Sequence, residues 1–417
     1  MILKQLITGK VFITFKEMNN CHMSIFKPLF LLLMIFNGFN GMAQDKKEKM
    51  EEKTMKIFLC GDVMLGRGID QALPHSVAPV LYESYVKDAR DYIRLAEREN
   101  GEIELPVSYN YIWGDALEVW KENAPDLRLI NLETSITTHD VPWKGKGIHY
   151  RMHPKNAEAL KVAKIGHVSL ANNHVLDWGR TGLKETFSTL KAAGIGFSGA
   201  GVNAKKASEP SVFSRKGGRV LVFSYGSPSS GIPYDWAAEK ELSGVNFLPS
   251  LDQEQINIIK TNVKAYKEPG DLVILSLHWG GNWGYDVPSR QRNFAHNLID
   301  EAGVDAIYGH SSHHPMGIEV YRDKLIIYGA GDFINDYEGI SGHEEYRSEL
   351  TLMYFPQFEK NGKLKALKMV PMRIKNLQLH RAKEREAVWL RNLLKREGRK
   401  FGSSVKMDSD HALWLVW

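Results

Sequence analysis

The sequence IYGHSSHHPMGIEVYRDKLIIYGAGDFIND, residues 307–336, is the most informative stretch of this 417-residue chain for its fold. Its first apolar run ends at Tyr308 and predicts a short buried strand, followed by a histidine-rich loop. Two further apolar runs predict strands over Ile318–Tyr321 and residues 324–328. In open α/β sheets, ligands bind at loops that follow the carboxyl ends of buried strands. The stretch therefore predicts an α/β fold with a ligand site at one edge of a sheet.

The loop after this first strand carries three imidazoles, His310, His313 and His314, and the glycine-rich turn downstream carries Asp332 and Asp336. Imidazole is the commonest metal ligand among side chains and also the commonest acid or base near neutral pH. The clustering therefore indicates a metal site or an acid/base site. A solvated surface loop with incidental histidines is the alternative.

Four upstream stretches repeat the pattern of an apolar run followed at once by polar side chains. The runs are KIFLC, LRLIN, HVSLA and DLVILSL, and the polar residues at their ends are Asp62, Asn131, Glu133, Asn173, His174 and His278. A single strand-end aspartate is often only a helix cap. Five such ends are improbable as independent caps, so we expect them to form one site on one rim of a parallel-rich sheet.

The composition excludes several classes of protein. A formal net charge of +5 over 417 residues gives no case for nucleic-acid binding. Two cysteines, Cys21 and Cys60, cannot form a disulfide framework, and Cys60 lies in an apolar run typical of a core residue. No P-loop, GxSxG or CxxC zinc pattern is present in the sequence.

The N-terminal residues predict export. Residues 23–44 combine Lys27, a short apolar core over residues 28–36 and a small-residue cleavage site, as in a secretory signal. We expect residues 1–43 to be an extension plus signal peptide, 44–54 a charged linker, 55–380 the main domain, and 381–417 a C-terminal helix and tail. The protein is then periplasmic, in the cell envelope or secreted, and an uncleaved membrane anchor is the alternative.

The helices are predicted from apolar spacing. Residues 182–193, 253–265, Ser289–Ala302 and 382–398 read as helices, and residues 80–122 as a helix pair with an inserted loop. Strand, polar loop and helix follow one another repeatedly, which is typical of βαβ units.

Five motifs occur in order along the chain, namely GDVMLGR, NLETSIT, SLANNHVLDWGRTGLKET, LSLHWG and IYGHSSHHPMGIEVYRDKLIIYGAGDF. They resemble those of the CapA poly-γ-glutamate biosynthesis family, over roughly residues 55–340. That family is similar to the calcineurin-like metallophosphatases. The resemblance implies an α/β fold, a metallophosphatase-like sandwich of two mixed β-sheets flanked by helices.

The resemblance also implies roles for single residues. It places His174 as general acid with Asp177 as its orienter, and His310 as a further catalytic residue. Arg67, Arg151 and Trp279 are expected substrate contacts. The metal ligands it implies are Asp62, Glu133, Asn173, His278, His310 and His313.

The expected cofactor is a divalent metal ion, Mn, Fe, Zn or Mg. Val63 and Met64 follow Asp62, so the Asp-x-His motif that opens true metallophosphatases is absent. The sequence therefore leaves open a dinuclear centre, a single metal ion and a metal-free acid/base pocket.

Three functions are compatible with these residues. The first is metal-assisted hydrolysis or transfer in the biosynthesis or export of a γ-linked capsule polymer. The second is a peptide epimerase in which His174 works with His310 or His313. The third is a non-catalytic polymer-binding or export subunit that grips carboxylates through Arg67 and Arg151. The expected partners are an anionic polymer or peptide and membrane-associated capsule proteins, with no nucleic acid.

Overall fold

Two β-sheets lie face to face, and helices cover the outer face of each. This computed structural model describes residues 54–215 and 217–417. The predicted signal peptide and all but the end of the charged linker lie outside the described residues. The predicted sandwich of two mixed sheets flanked by helices is confirmed.

The strands, in chain order, are β1 (Thr54–Phe58), β2 (Asp62–Val63), β3 (Leu127–Leu132), β4 (Ser135–Ile136), β5 (Arg151–Met152), β6 (His167–Ser169), β7 (Gly196–Ser198), β8 (Ala200–Gly201), β9 (Ser211–Arg215), β10 (Gly218–Gly226), β11 (Gly244–Val245), β12 (Leu272–His278), β13 (Ala306–His310), β14 (Ile318–Tyr321), β15 (Lys324–Ile327), β16 (Asp332–Ile334), β17 (Leu350–Glu359), β18 (Leu364–Lys375), β19 (Gln378–Arg381), β20 (Ser404–Met407) and β21 (Leu413–Val416).

The α-helices are α1 (Arg67–Ala72), α2 (Arg90–Asn100), α3 (Ala116–Asn123), α4 (Glu158–Val162), α5 (Gly179–Ala192), α6 (Ala204–Ser208), α7 (Gln253–Tyr266), α8 (Ser289–Ala302) and α9 (Glu384–Gly398). Short 3-10 turns occur at Tyr111–Trp113, Pro154–Ala157, Pro228–Ser230, Tyr234–Trp236, Glu344–Tyr346 and Arg399–Phe401. Within the part of the chain that the structure describes, none of the helices combines the length and apolar character needed to cross a membrane.

The first sheet brings three chain segments together at one edge. β1 and β2 follow one another along the same side of β3, and Asp62 pairs with Asn131. β16 lies parallel on the other side of β2 and places Asp332 opposite Asp62. β6 flanks β3 on its far side, and β17 runs antiparallel to β1. Carboxylates from segments some 270 residues apart in sequence thus become neighbours through strand register.

The second sheet has the order β14-β15-β13-β12-β10-β9. β10, β12, β13 and β15 are parallel, and β9 and β14 are antiparallel at its edges. His278 ends β12 and pairs in register with His310 at the end of β13. Both imidazoles therefore lie side by side at the carboxyl ends of these two strands.

The space between the sheets changes character along the strands. Near the strand starts it is apolar, with Leu129 and Ile274 among its residues. Because side chains alternate with a period of two, Ser276 and His278 project on the same face as Ile274, and Asn131 on the same face as Leu129. The apolar layer gives way first to hydroxyls and then to amide and imidazole groups, so the site lies where the inter-sheet core ends.

The predicted helix pair in residues 80–122 is confirmed for α2 and α3, but no helix covers residues 80–89. There, the Leu81 N–H donates to the Lys87 carbonyl and the Ala89 N–H to the Pro79 carbonyl, which closes a loop. At the other end of the chain, β20 and β21 join the first sheet through β18.

Candidate active site

Three buried carboxylates meet at the edge of the first sheet. Ligand oxygens of Asp62, Glu133 and Asp332 all lie within 4.8 Å of one another. Asn131 Nδ2 donates to Asp62 Oδ1 at 2.7 Å, and the Ser311 N–H donates to Asp62 Oδ2 at 3.1 Å. These two donors fix the orientation of the Asp62 carboxylate.

Two histidines complete the arrangement from the second sheet. Ligand atoms of Asp62, His278 and His310 also lie within 4.8 Å of one another. His278 Nδ1 is 2.7 Å from His310 Nδ1, and His278 Nε2 is 3.0 Å from Asn173 Oδ1. We call Asp62, Glu133, Asp332, His278 and His310 the metal-ligand cluster, because these groups could hold a metal ion. Asp62 belongs to both groups, so it lies where two ligand sets join.

The chemistry of the metal-ligand cluster fits a divalent cation. Burial raises the pKa of Asp62 to about 7 and that of Glu133 well above its usual range. Burial also lowers the pKa of His278 well below its usual range and that of His310 to about 3, so both imidazoles are neutral. Glu133 Oε2 is buried and has no hydrogen-bond partner among the described residues. Neutral imidazoles, carboxylates and an unpartnered oxygen are the donors that such an ion uses.

His313 and Asn173 lie at the margin of the cluster. His313 Nδ1 is 3.0 Å from Asp332 Oδ1, and Asn335 Nδ2 donates to Asp332 Oδ2 at 2.8 Å. Burial would lower the pKa of His313, but the Asp332 carboxylate outweighs it and raises that pKa. All six residues expected as metal ligands are thus brought to one place.

One ring nitrogen of His174 contacts Asp177, and the other faces the cluster. Its Nδ1 is 2.6 Å from Asp177 Oδ2, and its Nε2 is 3.9 Å from Glu133 Oε1. The ring of Tyr150 stacks on it at 3.8 Å between centroids. The expected pairing of His174 with Asp177 is present, and it directs Nε2 toward the cluster.

Lys146 joins the same pair, and the sequence reasoning missed it. Its ammonium hydrogen-bonds to Asp177 and to the Asn173 carbonyl and lies 3.1 Å from His174 Nδ1. Burial raises the pKa of Asp177 to about 6, a shift that Lys146 opposes. Lys146 comes from an irregular loop with no motif of its own, so only its position in space reveals it.

Arg67 belongs to a second buried cluster. Its guanidinium donates to Asp336, to Glu83 Oε1 at 2.9 Å and to the Tyr92 hydroxyl at 2.9 Å. We call Arg67, Glu83, Tyr92 and Asp336 the arginine cluster. Arg67 was expected to contact substrate, but these acceptors already use its donors. Asp336, the second acid of the glycine-rich turn, lies here and not with Asp332.

Three other singled-out residues do not reach the metal-ligand cluster. Arg151 donates to the carbonyls of His139 and Ala78 and stacks on Trp178 at 3.8 Å. Trp279 lies in the core behind the second sheet, with its indole N–H donated to the Tyr328 carbonyl at 2.9 Å. His314 stacks on Tyr346 at 4.6 Å. The substrate contacts expected of Arg151 and Trp279 stay predictions.

A cavity of about 600 Å³ lies beside the cluster. His313 and Asn335, which contact Asp332, and Tyr150, which stacks on His174, form the wall nearest the cluster. Trp283 and Tyr337 contribute aromatic surface. This volume is in the range of small-molecule and cofactor pockets.

The model of the family described as "Bacterial capsule synthesis protein PGA_cap" matches residues 56–337. The chain belongs to the PGA_cap family. The resemblance to the CapA family inferred from the five motifs is confirmed, with nearly the same limits.

Among relatives of this PGA_cap protein, a "probable polyglutamine synthesis accessory protein" of Mycobacterium tuberculosis is 46% identical over 86% of this chain and 95% of its own length. The "PGA biosynthesis protein CapA" of Bacillus subtilis is 27% identical over 83% of this chain and 79% of its own length. The "capsule biosynthesis protein CapA" of Bacillus anthracis is 25% identical over 77% of this chain and 70% of its own length.

Asp332 is the ligand-type residue of this PGA_cap chain that sequence reasoning noticed but did not place among the metal ligands. A signal was present, because Asp332 follows an apolar run and a glycine turn, as Asp62 does. What the sequence could not show is the parallel pairing of β16 with β2, which sets the two carboxylates side by side.

Proposed function

We propose that this protein is an exported, metal-dependent hydrolase or transferase that acts in poly-γ-glutamate capsule biosynthesis or export. The observation that carries the proposal is the metal-ligand cluster itself. Carboxylate and imidazole groups from both sheets converge, and one of their oxygens, Glu133 Oε2, is buried without a partner. Buried carboxylates without a cation are costly, so their convergence favours a bound ion.

The names of the relatives support poly-γ-glutamate as the polymer on which the protein acts. Accessory proteins for polyglutamine synthesis and CapA proteins for PGA and capsule biosynthesis share most of this chain's length. We infer that the substrate is an anionic γ-linked polymer or a peptide related to it, and that the partners are membrane-associated capsule synthesis or export proteins. The signal-like N-terminus supports export.

The chain's own residues define the roles at the site. Asp62, Glu133, Asp332, His278 and His310 would hold the ion, with Asn173 and His313 at their margin. A divalent cation bound there, Mn, Fe, Zn or Mg, would polarise the scissile group and lower the pKa of a bound water.

His174 would transfer the proton. Its Nδ1 is committed to Asp177, and its Nε2 faces the cluster, as a general acid or base requires. Lys146 and Tyr150 hold this ring in place. The adjacent cavity would take the substrate segment on either side of the scissile bond.

The test is to purify the full chain, measure its metal content by mass spectrometry, and incubate it with poly-γ-glutamate with and without a chelator. We expect bound metal and a metal-dependent fall in polymer length on size-exclusion chromatography. Asp62→Asn should lose both, since Asp62 belongs to both ligand groups. His296→Gln is the matched control, because that ring stacks on Tyr321 and contacts Glu319 instead.

The same incubation separates the two alternatives. Carried out in D₂O, an epimerase that uses His174 with His310 or His313 would introduce deuterium at the peptide α-carbon without cleaving the chain. A non-catalytic binding subunit would retain the polymer but change neither its length nor its isotope content. A protein that carries no metal and shows no reaction would contradict the proposal.

A further inference from the structure

Four serines form a hydroxyl layer directly beneath the metal-ligand cluster. Ser169 and Ser198 pair in register on the first sheet, and Ser224 and Ser276 pair in register on the second. All four lie between the sheets and are at most 2% exposed. We call Ser169, Ser198, Ser224 and Ser276 the serine chain. Buried hydroxyls in an otherwise apolar interface are costly unless they are hydrogen-bonded.

The serine chain is fully hydrogen-bonded and links two imidazoles. At one end, Ser276 Oγ is 2.7 Å from His310 Nε2. From there the contacts run to Ser169 at 2.7 Å, to Ser224 at 3.0 Å and to Ser198 at 2.7 Å. At the far end, Ser198 Oγ is 3.3 Å from the Nε2 of His167. A continuous path therefore joins a residue of the cluster to a histidine on the far side of the serine layer.

The number of protons available along this path limits where each imidazole ring can carry its proton. The path has five hydrogen bonds, and each needs one proton. A serine hydroxyl supplies a single proton, so the four serines supply four. The fifth must come from an Nε2–H of either His310 or His167. When all five bonds are formed, only one of the two rings carries a proton on Nε2.

The orientation of His310 depends on the first contact of the path. With Nε2 held by Ser276, His310 turns Nδ1 toward the cluster, 3.8 Å from Asp62 Oδ1. A metal-ligating histidine typically has its second ring nitrogen held by such a partner, which fixes the ring and its tautomer. Burial of the whole path leaves no water in competition for Ser276.

We propose that Ser276 is a positioning residue for His310 and that the serine chain couples the tautomer of His310 to that of His167. The proposal rests on the proposed function in taking the cluster as a metal site. Ser169 donates to Ser276, and with that direction the path runs from His167 Nε2–H to His310 Nε2, an arrangement that we assign to the protein without a bound ion. If His310 binds the ion through Nδ1, its ring proton must be on Nε2, from which it donates to Ser276. Every hydrogen bond of the serine chain then reverses its direction, and the His167 proton moves from Nε2 to Nδ1.

The first experiment measures Zn²⁺ affinity of the full chain by competition with a chromogenic chelator. Ser276→Ala should weaken binding by roughly 10- to 100-fold, as loss of a partner to a ligating histidine does. The matched control is Ser403→Ala, because Ser403 is also buried but donates to the Ile318 carbonyl. An affinity of Ser276→Ala within about twofold of wild type would overturn the positioning role.

The second experiment reads the ring tautomers by ¹⁵N NMR of histidine-labelled full chain. Without metal, His167 should carry its proton on Nε2 and His310 on Nδ1, and Zn²⁺ should exchange both assignments. Ser224→Ala cuts the path between Ser169 and Ser198, so His167 should stop responding to Zn²⁺ while His310 still responds. This variant also serves if Ser276→Ala does not fold.

These readouts separate failure of the inference from failure of the proposed function. If wild type binds no Zn²⁺, the metal site fails, but the complementary tautomers of the metal-free protein still test the serine chain. Finding Nε2 protonated on both rings, or on neither, would overturn the coupling. So would an unchanged response of His167 to Zn²⁺ in Ser224→Ala.

Discussion

The metal-ligand cluster and the arginine cluster are both buried, both acidic and both joined from distant segments, yet their charges are balanced differently. In the arginine cluster, one guanidinium donates to Asp336, Glu83 and Tyr92. In the metal-ligand cluster, Asp62, Glu133 and Asp332 converge beside neutral imidazoles, and Glu133 Oε2 has no partner among the described residues.

The difference teaches how to tell a structural charge cluster from a binding site. A buried ion pair is complete when its own side chains supply both signs and all donors and acceptors are used. The arginine cluster meets that condition, although Arg67 lines the cavity. Among the described residues the metal-ligand cluster does not meet it, because three carboxylates lie close to one imidazole of raised pKa, His313, and Glu133 Oε2 has no partner.

The largest effect is expected when the guanidinium of Arg67 is removed. Arg67→Met leaves Asp336 and Glu83 buried without their cation, so we expect the free energy of unfolding to fall by about 3–5 kcal/mol. Urea denaturation of the metal-free protein measures it. The control is Lys363→Met, whose ion pair with Asp323 is half exposed, so its loss should leave the free energy of unfolding nearly unchanged. A loss no larger than the control's would mean that Arg67 is not the balancing charge.

A smaller effect concerns pH. Burial raises the pKa of Asp62 to about 7, whereas an unfolded chain has the ordinary value near 4. Between these values the folded state binds the extra proton, so the free energy of unfolding falls as pH rises. From pH 5 to pH 8, metal-free wild type should lose about 2 kcal/mol more than Asp62→Asn does. Parallel pH profiles for the two proteins would contradict this expectation, and saturating metal should remove the difference.

The smallest expected effect is an increase, and not a decrease, in the free energy of unfolding. Glu133→Gln removes a buried carboxyl whose Oε2 lacks a partner among the described residues, so at pH 8 the metal-free protein should gain about 1 kcal/mol in free energy of unfolding. Burial raises the pKa of Glu133 well above its usual range, so the gain should shrink at pH 5. Glu83→Gln is the same chemical change in the arginine cluster and should destabilise, since Glu83 accepts from Arg67 and Tyr92. Equal changes in the free energy of unfolding for Glu133→Gln and Glu83→Gln would contradict the distinction between the two clusters.

Sequence reasoning reached the residues whose chemistry follows directly from a strand end. Asp62, Glu133, Asn173, His278 and His310 each follow an apolar run, and parallel strands present their carboxyl ends on one side. It did not reach Lys146, which comes from an irregular loop, or the serine chain, whose members look like ordinary strand residues. It also expected substrate contacts from Arg67 and Arg151, and it could not show that the Arg67 guanidinium already donates to Asp336, Glu83 and Tyr92.

The residues alone determined the α/β class, the order of the buried strands and most of the ligand-type side chains, because apolar periodicity and strand-end chemistry are local properties of a chain. Which acids share a site depends on how the two sheets pack together. Asp332 and Asp336 are four residues apart in one turn, but β16 aligns Asp332 with Asp62 while Asp336 meets Arg67. Charge balance in a buried site depends on distances between segments far apart in sequence, and those distances exist only once both sheets have packed together.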